Sequence, residues 1–393
     1  MVSGNLLRSN IDIPSGNADS MPRQQRKIMR PFRILRQYLA HHSVFSTSGH
    51  PPLRILAIGD GDIASIKLGL QIPLAWMARM LGIKYRLIYA SDLPGTPTRG
   101  IDLVLIMRVC DKKSLSFAQG LKDKRIPYIY MTDDDLGLVD PETPFVADLV
   151  AMNAHDNIVA FAQSATAVVV FSEALRDKFS QYNKETHLLP ASSGLLHPLK
   201  QPAPSCSHAE QRIGFAGGVL HADNLALIEN VMRDLLEANP ALVFETIGQQ
   251  SPGLMGHPRY RHFPHGEMDD FFQLLQSRAW TIGLAPLRDT VFNAAKTDNK
   301  YRTYASVGIP GIYSDVAAFK KSVRDRETGL LADNTPQAWR VAIETLLEDA
   351  SLRQSMAQAS AEDAKRRFNL TTICLEYLRV FFSVLEMSGV RAR

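Results

Sequence analysis

The chain has 393 residues, 45% of them hydrophobic and 21% charged, which is more than one hydrophobic core serves and predicts two domains with full cores. Its 44 basic against 40 acidic residues favour an anionic partner slightly, without deciding between enzyme and binding protein. The three cysteines, Cys110, Cys206 and Cys374, stand far apart with no CxxC or Cys/His spacing, which argues against a disulfide framework and a zinc site and predicts a reducing compartment.

Residues 1–50 are rich in Ser, Asn, Pro and Arg with little hydrophobic periodicity, and read as an extension outside the first domain. The opening "MVSGNLLRSNIDIPSG" lacks the apolar core of a signal peptide, and no 18-residue apolar run is long enough to span a bilayer. The expected location is cytoplasmic, at most peripheral on the inner face of the plasma membrane. Within residues 23–36, Arg23, Arg26, Lys27, Arg30, Arg33 and Arg36 alternate with Ile28, Met29, Phe32, Ile34 and Leu35, and Pro31 interrupts any helix. Two readings stay open: a solvated arm, or a segment drawn to an anionic membrane surface.

The first domain, residues 51–205, alternates strand-length apolar runs ("LRILAIG", "KYRLIY", "DLVLIM", "PYIYM", "TAVVVF") with helical segments such as "SIKLGLQIPLAWMARMLG", which stops at Gly82. A Pro-rich stretch around Pro198, Pro202 and Pro204 reads as a linker. The second domain, residues 206–370, restarts the pattern with "RIGFAG", "LVFETIG", "WTIGLAP", "PGIYS" and "GLLA". Its helices include "NLALIENVMRDLLEANP" and "TPQAWRVAIETLLEDA", the latter with Thr335 as cap and Pro336 in first position. Alternating β and α predicts α/β architecture with doubly wound parallel sheets. The last segment, residues 371–393, is an amphipathic helix whose Ile373, Tyr377, Leu378, Phe381, Phe382 and Leu385 must dock on something.

In open parallel sheets ligands bind beyond the carboxyl ends of the strands. Those positions hold Gly59 to Asp62, Arg108 to Asp111 and Thr132 to Leu136 in the first domain, and Gly217 to Asn224, Gly248 to Gln250 and Pro286 to Lys296 in the second. Two such edges predict a ligand between the domains. Gly217 and Gly218 either admit a ligand close to the backbone, with the following helix offering free N–H groups to an anion, or form a tight turn alone. "GDGDIAS" carries only two glycines of a dinucleotide fingerprint and puts Asp60 and Asp62 where a diphosphate would lie, which disfavours a dehydrogenase.

In "FNAAKTDNKYRTYASVGIPGIYS", Asn293 reads as a helix cap, which places Lys296 and Lys300 one turn apart at the end where the dipole disfavours positive charge. Either a bound diphosphate compensates them, or they are solvated, or the helix starts later.

Thr281 to Asn334 resembles the donor-binding region of bacterial GT-B glycosyltransferases of the group-1 or family 4 lineage, whose signature runs "GLxPLxDxxFNxxKSxxKxLEYxAxGxPxxxS" followed by "GxxGLLV". Gly283, Leu284, Pro286, Leu287, Asp289, Phe292, Asn293, Lys296, Lys300, Tyr304, Ala305, Gly308, Pro310 and Ser314 match it in order. "RIGFAGGVLHADNL" is similar to the glycine loop of that donor domain, and "DLVLIMR" and "YIYMTDDDL" to first-domain segments of the same group. The resemblance spans about residues 53 to 385. It implies two Rossmann-like domains facing across a cleft, with the C-terminal helix crossing back to the first. It also implies transfer of a sugar from a nucleoside-diphosphate sugar to a hydroxyl, with retention, without a metal or other cofactor, and in cell-envelope polysaccharide, exopolysaccharide or glycoconjugate synthesis.

The implied partners are the nucleotide sugar and a saccharide, lipid-linked saccharide or protein acceptor, and no nucleic acid. Lys296 and Lys300 would stabilise the leaving diphosphate beside Gly217 and Gly218, with Asp289, Asn293, Asn299 and Thr303 as further donor contacts. On the acceptor side stand Gly59, Asp60, Lys67, Arg108, Asp133, Asp134 and Asp135. Here the aspartate triplet is expected to cap a helix and line the cleft, with Asp133 a candidate base and His155 a candidate near the transferred sugar. Arg108 and Lys67 either meet an anionic acceptor or are solvated or ion-paired. The chain departs from the family at Thr303, where the signature carries a glutamate; the other glutamate of the broader EX7E motif would fall at Ala295 and often does not survive in this subgroup. That departure keeps open a GT-B-fold binding protein without turnover.

Overall fold

The buried apolar runs become two six-stranded sheets in which every pairing is parallel. The computed structural model describes residues 52–139, 146–193, 210–218, 221–264, 266 and 268–389; residues 23–36 and the linker prolines lie outside them. The first sheet comprises β1 (Arg54–Gly59), β2 (Lys84–Tyr89), β3 (Leu103–Met107), β4 (Tyr128–Thr132), β5 (Ala167–Val170) and β6 (Thr186–Leu188), in the order β2-β1-β3-β4-β5-β6. The second comprises β7 (Gln211–Gly217), β8 (Leu242–Gly248), β9 (Tyr260–Phe263), β10 (Ile282–Ala285), β11 (Gly311–Ser314) and β12 (Leu330–Ala332), in the order β12-β11-β10-β7-β8-β9. The chain reverses direction of travel between β1 and β3 in one sheet and between β7 and β10 in the other. Those two switch points open the crevices where ligands of such sheets sit.

Ten strands coincide with the apolar runs. The other two, β6 and β9, lie at the sheet ends and are only partly buried, so "THL" and "YRHF" carry no apolar run to announce them.

The first long helical segment is not one regular helix. A short turn (Ala64–Ile66) passes into a π-helical stretch (Lys67–Gln71) before α1 (Ile72–Leu81), which Gly82 ends at φ 73°. Pro73 explains the irregularity, since it has no N–H for the carbonyl of Gly69 and its ring crowds that turn. The carbonyl so released accepts the hydroxyl of Tyr377 at 2.9 Å.

The remaining helices are α2 (Lys112–Asp123), α3 (Val146–Ala151), α4 (Ala154–Ser164) and α5 (Glu173–Phe179) around the first sheet, then α6 (Ala222–Ala238), α7 (Met268–Arg278), α8 (Val291–Ala294), α9 (Asn299–Ser306), α10 (Ala317–Lys320), α11 (Pro336–Glu348) and α12 (Ala350–Arg367) around the second. The last, α13 (Leu370–Met387), crosses back and packs on α1. Its six predicted docking residues are all buried. By length and composition the stretch Ala350–Met387 would suffice to cross a membrane, but 61% of its most apolar window is buried inside the fold, so the apolar face is satisfied by protein. Tyr377→Phe deletes the donor to Gly69 and leaves a buried carbonyl unpaired. The expected loss is about 1–3 kcal/mol, read as a lower urea midpoint with an unchanged slope.

Three further contacts join the two halves. Ala295 sits in the hydrophobic cluster of the first sheet, its carbonyl accepts from Ser172 Oγ at 2.7 Å, and Glu173 pairs with Lys321.

Candidate functional site

Both switch points open onto one cavity of about 560 Å3 between the sheets. Asp62, Lys67, Arg108, Asp133 and Asp134 line its first-sheet wall, and Gly217, Gly218, His221, Lys296, Asn299, Lys300 and Thr303 line the opposite one. Ile247, Phe271, Phe272, Leu287 and Phe319 make part of that second wall apolar.

Of the alternatives left open for the two lysines, the later helix start is the one found for Lys300. Thr290, not Asn293, caps α8 by accepting from the backbone of Asn293, and α8 ends at Ala294. A second helix, α9, begins at Asn299 after Asp298, so Lys296 lies between two helices and shares no helical face with Lys300. Thr290 caps α8 through its side chain, whereas Asp298 stands at the cap position of α9 without a side-chain cap bond. Asp298 is anchored from outside the helix by Ser322 and pairs with Arg302 at 2.7 Å. Lys300 therefore points not to solvent but at the carboxyl end of β7. Its ammonium donates to the carbonyl of Ala216 at 2.7 Å and stands 4.7 Å from the centre of the Phe215 ring. Burial first, then the neighbouring Lys296, pulls its pKa from 10.5 down to about 7.

Lys296 reaches across the cleft. Its ammonium stands 3.4 Å from Asp134 Oδ1 and over the Phe292 ring at 4.3 Å. Burial alone would raise the carboxyl of Asp134, but Lys296 and Arg108 hold it down to about 2 against an ordinary 3.8. The pair therefore contributes stability fully present above pH 3.8 and lost as pH falls towards 2. It also competes with any anion for Lys296. Asp134→Asn is expected to tighten pyrophosphate binding about 3- to 10-fold, the equivalent of a partly exposed ion pair of about 1 kcal/mol, measured by isothermal titration calorimetry at neutral pH; unchanged or weaker binding would contradict this.

Arg108 is 6% exposed and ion-paired. Its guanidinium bonds Asp60 at 3.2 Å, Asp133 at 2.7 Å and Asp134 at 2.8 Å. The aspartate triplet does not cap a helix, because these carboxylates turn inward to cations: Asp135 is buried against Lys178 of α5 at 2.6 Å. Lys67 pairs with Asp62 at 3.2 Å. Among the described residues no group of three or more His, Cys, Asp and Glu side chains is arranged to hold a metal ion.

No family model matches the chain, and no curated protein matches it by sequence. In three dimensions it is similar to HepE of Anabaena, solved in complex with UDP and glucose, with a TM-score of 0.60 at 14% identity over 84% of this chain and 100% of that one. It is similar also to sucrose-phosphate synthase of Thermosynechococcus elongatus, with a TM-score of 0.62 at 14% identity over 85% and 100% of the two chains. The chain has the GT-B fold. A glycosyltransferase of Rickettsia africae shares it at a TM-score of 0.58 and 9% identity, over 86% of this chain and 100% of that one.

The GT-B frame brings some of the sequence-selected residues together and leaves others out. Lys296, Lys300, Asn299, Thr303, Gly217 and Gly218 meet Lys67, Arg108, Asp133 and Asp134 around one cavity. Gly59 and Asp60 do not line it: Gly59 stands against Ile66 and Asp60 on Arg108. His155 is exposed near the start of α4, against Gly137, and does not reach the cavity. Asp289 is exposed outside it, and Asn293 is buried behind it, donating to Asn224 and to the carbonyl of Arg288. Among the groups in this GT-B cavity that were not singled out from the sequence are His221 and the pair Phe271 and Phe272. A lone histidine in "GGVLHADN" and two phenylalanines in "DDFFQLL" look like ordinary helix starts and core.

Proposed function

We propose that the protein transfers a sugar from a nucleoside-diphosphate sugar to a hydroxyl acceptor bound in the cleft. The carrying observation is that Lys296 and Lys300, from the segment matching the donor signature, line one cavity with the Gly217–Gly218 turn. In that arrangement a diphosphate receives two ammonium groups and closely approached backbone, so negative charge developing on the leaving group is stabilised without a metal. The apolar surface around Phe271, Phe272 and Phe319 suits a nucleobase. Support comes from GT-B neighbours solved with UDP and glucose, with UDP-glucose and, for MnaA of S. aureus, with UDP. Asp133, at the cavity wall facing the lysines, is the candidate base for the acceptor hydroxyl. Retention, an acceptor in cell-envelope polysaccharide or glycoconjugate synthesis, and action at the cytoplasmic face of the membrane complete the proposal.

One observation favours a second reading. Among the described residues the hydroxyl of Thr303 has no hydrogen-bond partner, and the carboxylates lining the cavity, Asp62, Asp133 and Asp134, all come from the first-sheet wall. Without an acidic group beside the donor, the cavity binds a nucleotide without turning it over. Release of UDP, GDP and ADP from a panel of nucleotide sugars, with Lys296→Ala as control, separates the two. Turnover lost in the variant supports the transferase, binding without turnover across donors and acceptors supports the second reading, and no nucleotide binding at all sinks both.

A further inference from the structure

We infer that His221 donates a hydrogen bond from Nε2 to the same anion that Lys296 and Lys300 hold, in a tautomer set through Asn224 by the backbone N–H of Arg288 and by Asn293. This rests on the donor-site reading above and adds a binding residue and a positioning residue to it.

The chain of contacts starts behind the cavity. Asn293 Nδ2 donates to the Asn224 carbonyl oxygen at 3.3 Å and to the carbonyl of Arg288 at 3.0 Å, and the backbone N–H of Arg288 donates to the same Asn224 oxygen at 2.7 Å. Two donors on that oxygen fix which end of the Asn224 amide is which. Its NH2 group therefore faces His221 Nδ1, at 3.3 Å. An NH2 group only donates, so Nδ1 is the acceptor of a neutral ring and the proton sits on Nε2.

The other edge of the ring faces the cavity. A Cβ at Gly217 would stand 2.8 Å from Lys300 Nζ and 3.0 Å from His221 Cδ2, the carbon bonded to Nε2. Lysine and imidazole thus border the same small space above a glycine, which a side chain there would fill. Burial, followed by Lys300 and then Lys296, keeps the imidazole well below its ordinary protonation range, in agreement with the neutral ring. A neutral N–H donor beside two lysines completes a site for a polyvalent oxyanion without adding a third buried charge. The arrangement also gives Asn293 a function although it does not line the cavity.

The test uses the full chain with UDP and inorganic pyrophosphate as probes. Side-chain nitrogen NMR of the ligand-free protein should show His221 as the Nε2–H tautomer, and Asn293→Ala should shift it towards a mixture. Glutamine places an N–H where Nε2 stands, asparagine where Nδ1 stands. His221→Gln should therefore bind both probes nearly as wild type, while His221→Asn and His221→Leu weaken binding about 10- to 100-fold, as expected for a lost bond to a charged group. Thermal melts identify any variant that fails to fold, and the tautomer measurement on wild type is independent of them. A ring protonated at Nδ1, or a folded leucine variant that binds as wild type, overturns the inference while leaving the donor site standing. Wild type that binds neither probe overturns both.

Discussion

Lys300→Met will weaken nucleoside-diphosphate binding at least about 100-fold while leaving the protein at least as stable as wild type near neutral pH. The ammonium is buried, and its protonated form is paired with one carbonyl oxygen and one aromatic face rather than a carboxylate. Its pKa falls from 10.5 unfolded to about 7 folded, so the unfolded chain binds the extra proton between those values. Native stability accordingly rises as pH increases from about 7 towards 10.5, and the methionine variant lacks that rise. Removing the amine leaves the Ala216 carbonyl short of a donor, an effect that relief from burying a charge offsets. A bound diphosphate restores a counter-charge and raises the lysine pKa again, so binding near neutral pH takes up a proton. Calorimetric titration of UDP in two buffers of different ionisation enthalpy should show that uptake in wild type. The variant's affinity should fall by at least about 100-fold, the equivalent of two charge-assisted bonds. Binding of UDP to the variant at wild-type strength would remove Lys300 from the site.

The second large effect concerns the opposite wall. Arg108→Met strips the shared cation from Asp60, Asp133 and Asp134, and the expected destabilisation is about 3–5 kcal/mol, as for any buried ion cluster that loses one partner. Part of the native position is itself unusual, because Arg108 holds φ at 63°, a region L-residues rarely occupy. The three bonds to its guanidinium outweigh that cost. In the variant Asp60, whose carboxyl is already raised by burial, loses the cation that holds it down and keeps a like charge beside it, so the folded state binds protons more readily than the unfolded chain. Its stability deficit should therefore shrink as pH is lowered from about 7 to about 5, a direction opposite to ordinary acid destabilisation. Urea unfolding at the two values reads this directly, and a deficit that is constant or grows on acidification would refute the account.

The legible part of this molecule is the part written in local pattern. Runs such as Leu103–Met107 and Tyr128–Met131 are fully buried and continuously apolar, so they announce central parallel strands and, with them, the edges where ligands of such sheets bind. Lys296 and Lys300 were visible as positions, but the break between α8 and α9 was not. It depends on Ser322, from beyond β11, holding Asp298. The pairing of Arg108 lay further out of reach, because its three aspartates come from two other strand ends, 48, 25 and 26 residues away. A charged side chain looks available in a sequence until its distant partners are known. His221 illustrates the converse, since nothing near it in the chain distinguishes it from a structural histidine until Lys300 and Gly217 are folded beside it.

The seat of Ala295 has a mechanical meaning. Its side chain is embedded in the first-sheet core and its carbonyl is held by Ser172, while the next residue carries the ammonium that spans to Asp134. Any hinge motion separating the two sheets must pull on this tether before it widens the crevice. Loss of the cross-cleft cation and opening of the mouth are thus one coordinate, and a ligand that draws Lys296 away from Asp134 changes the stiffness of the joint through which it entered.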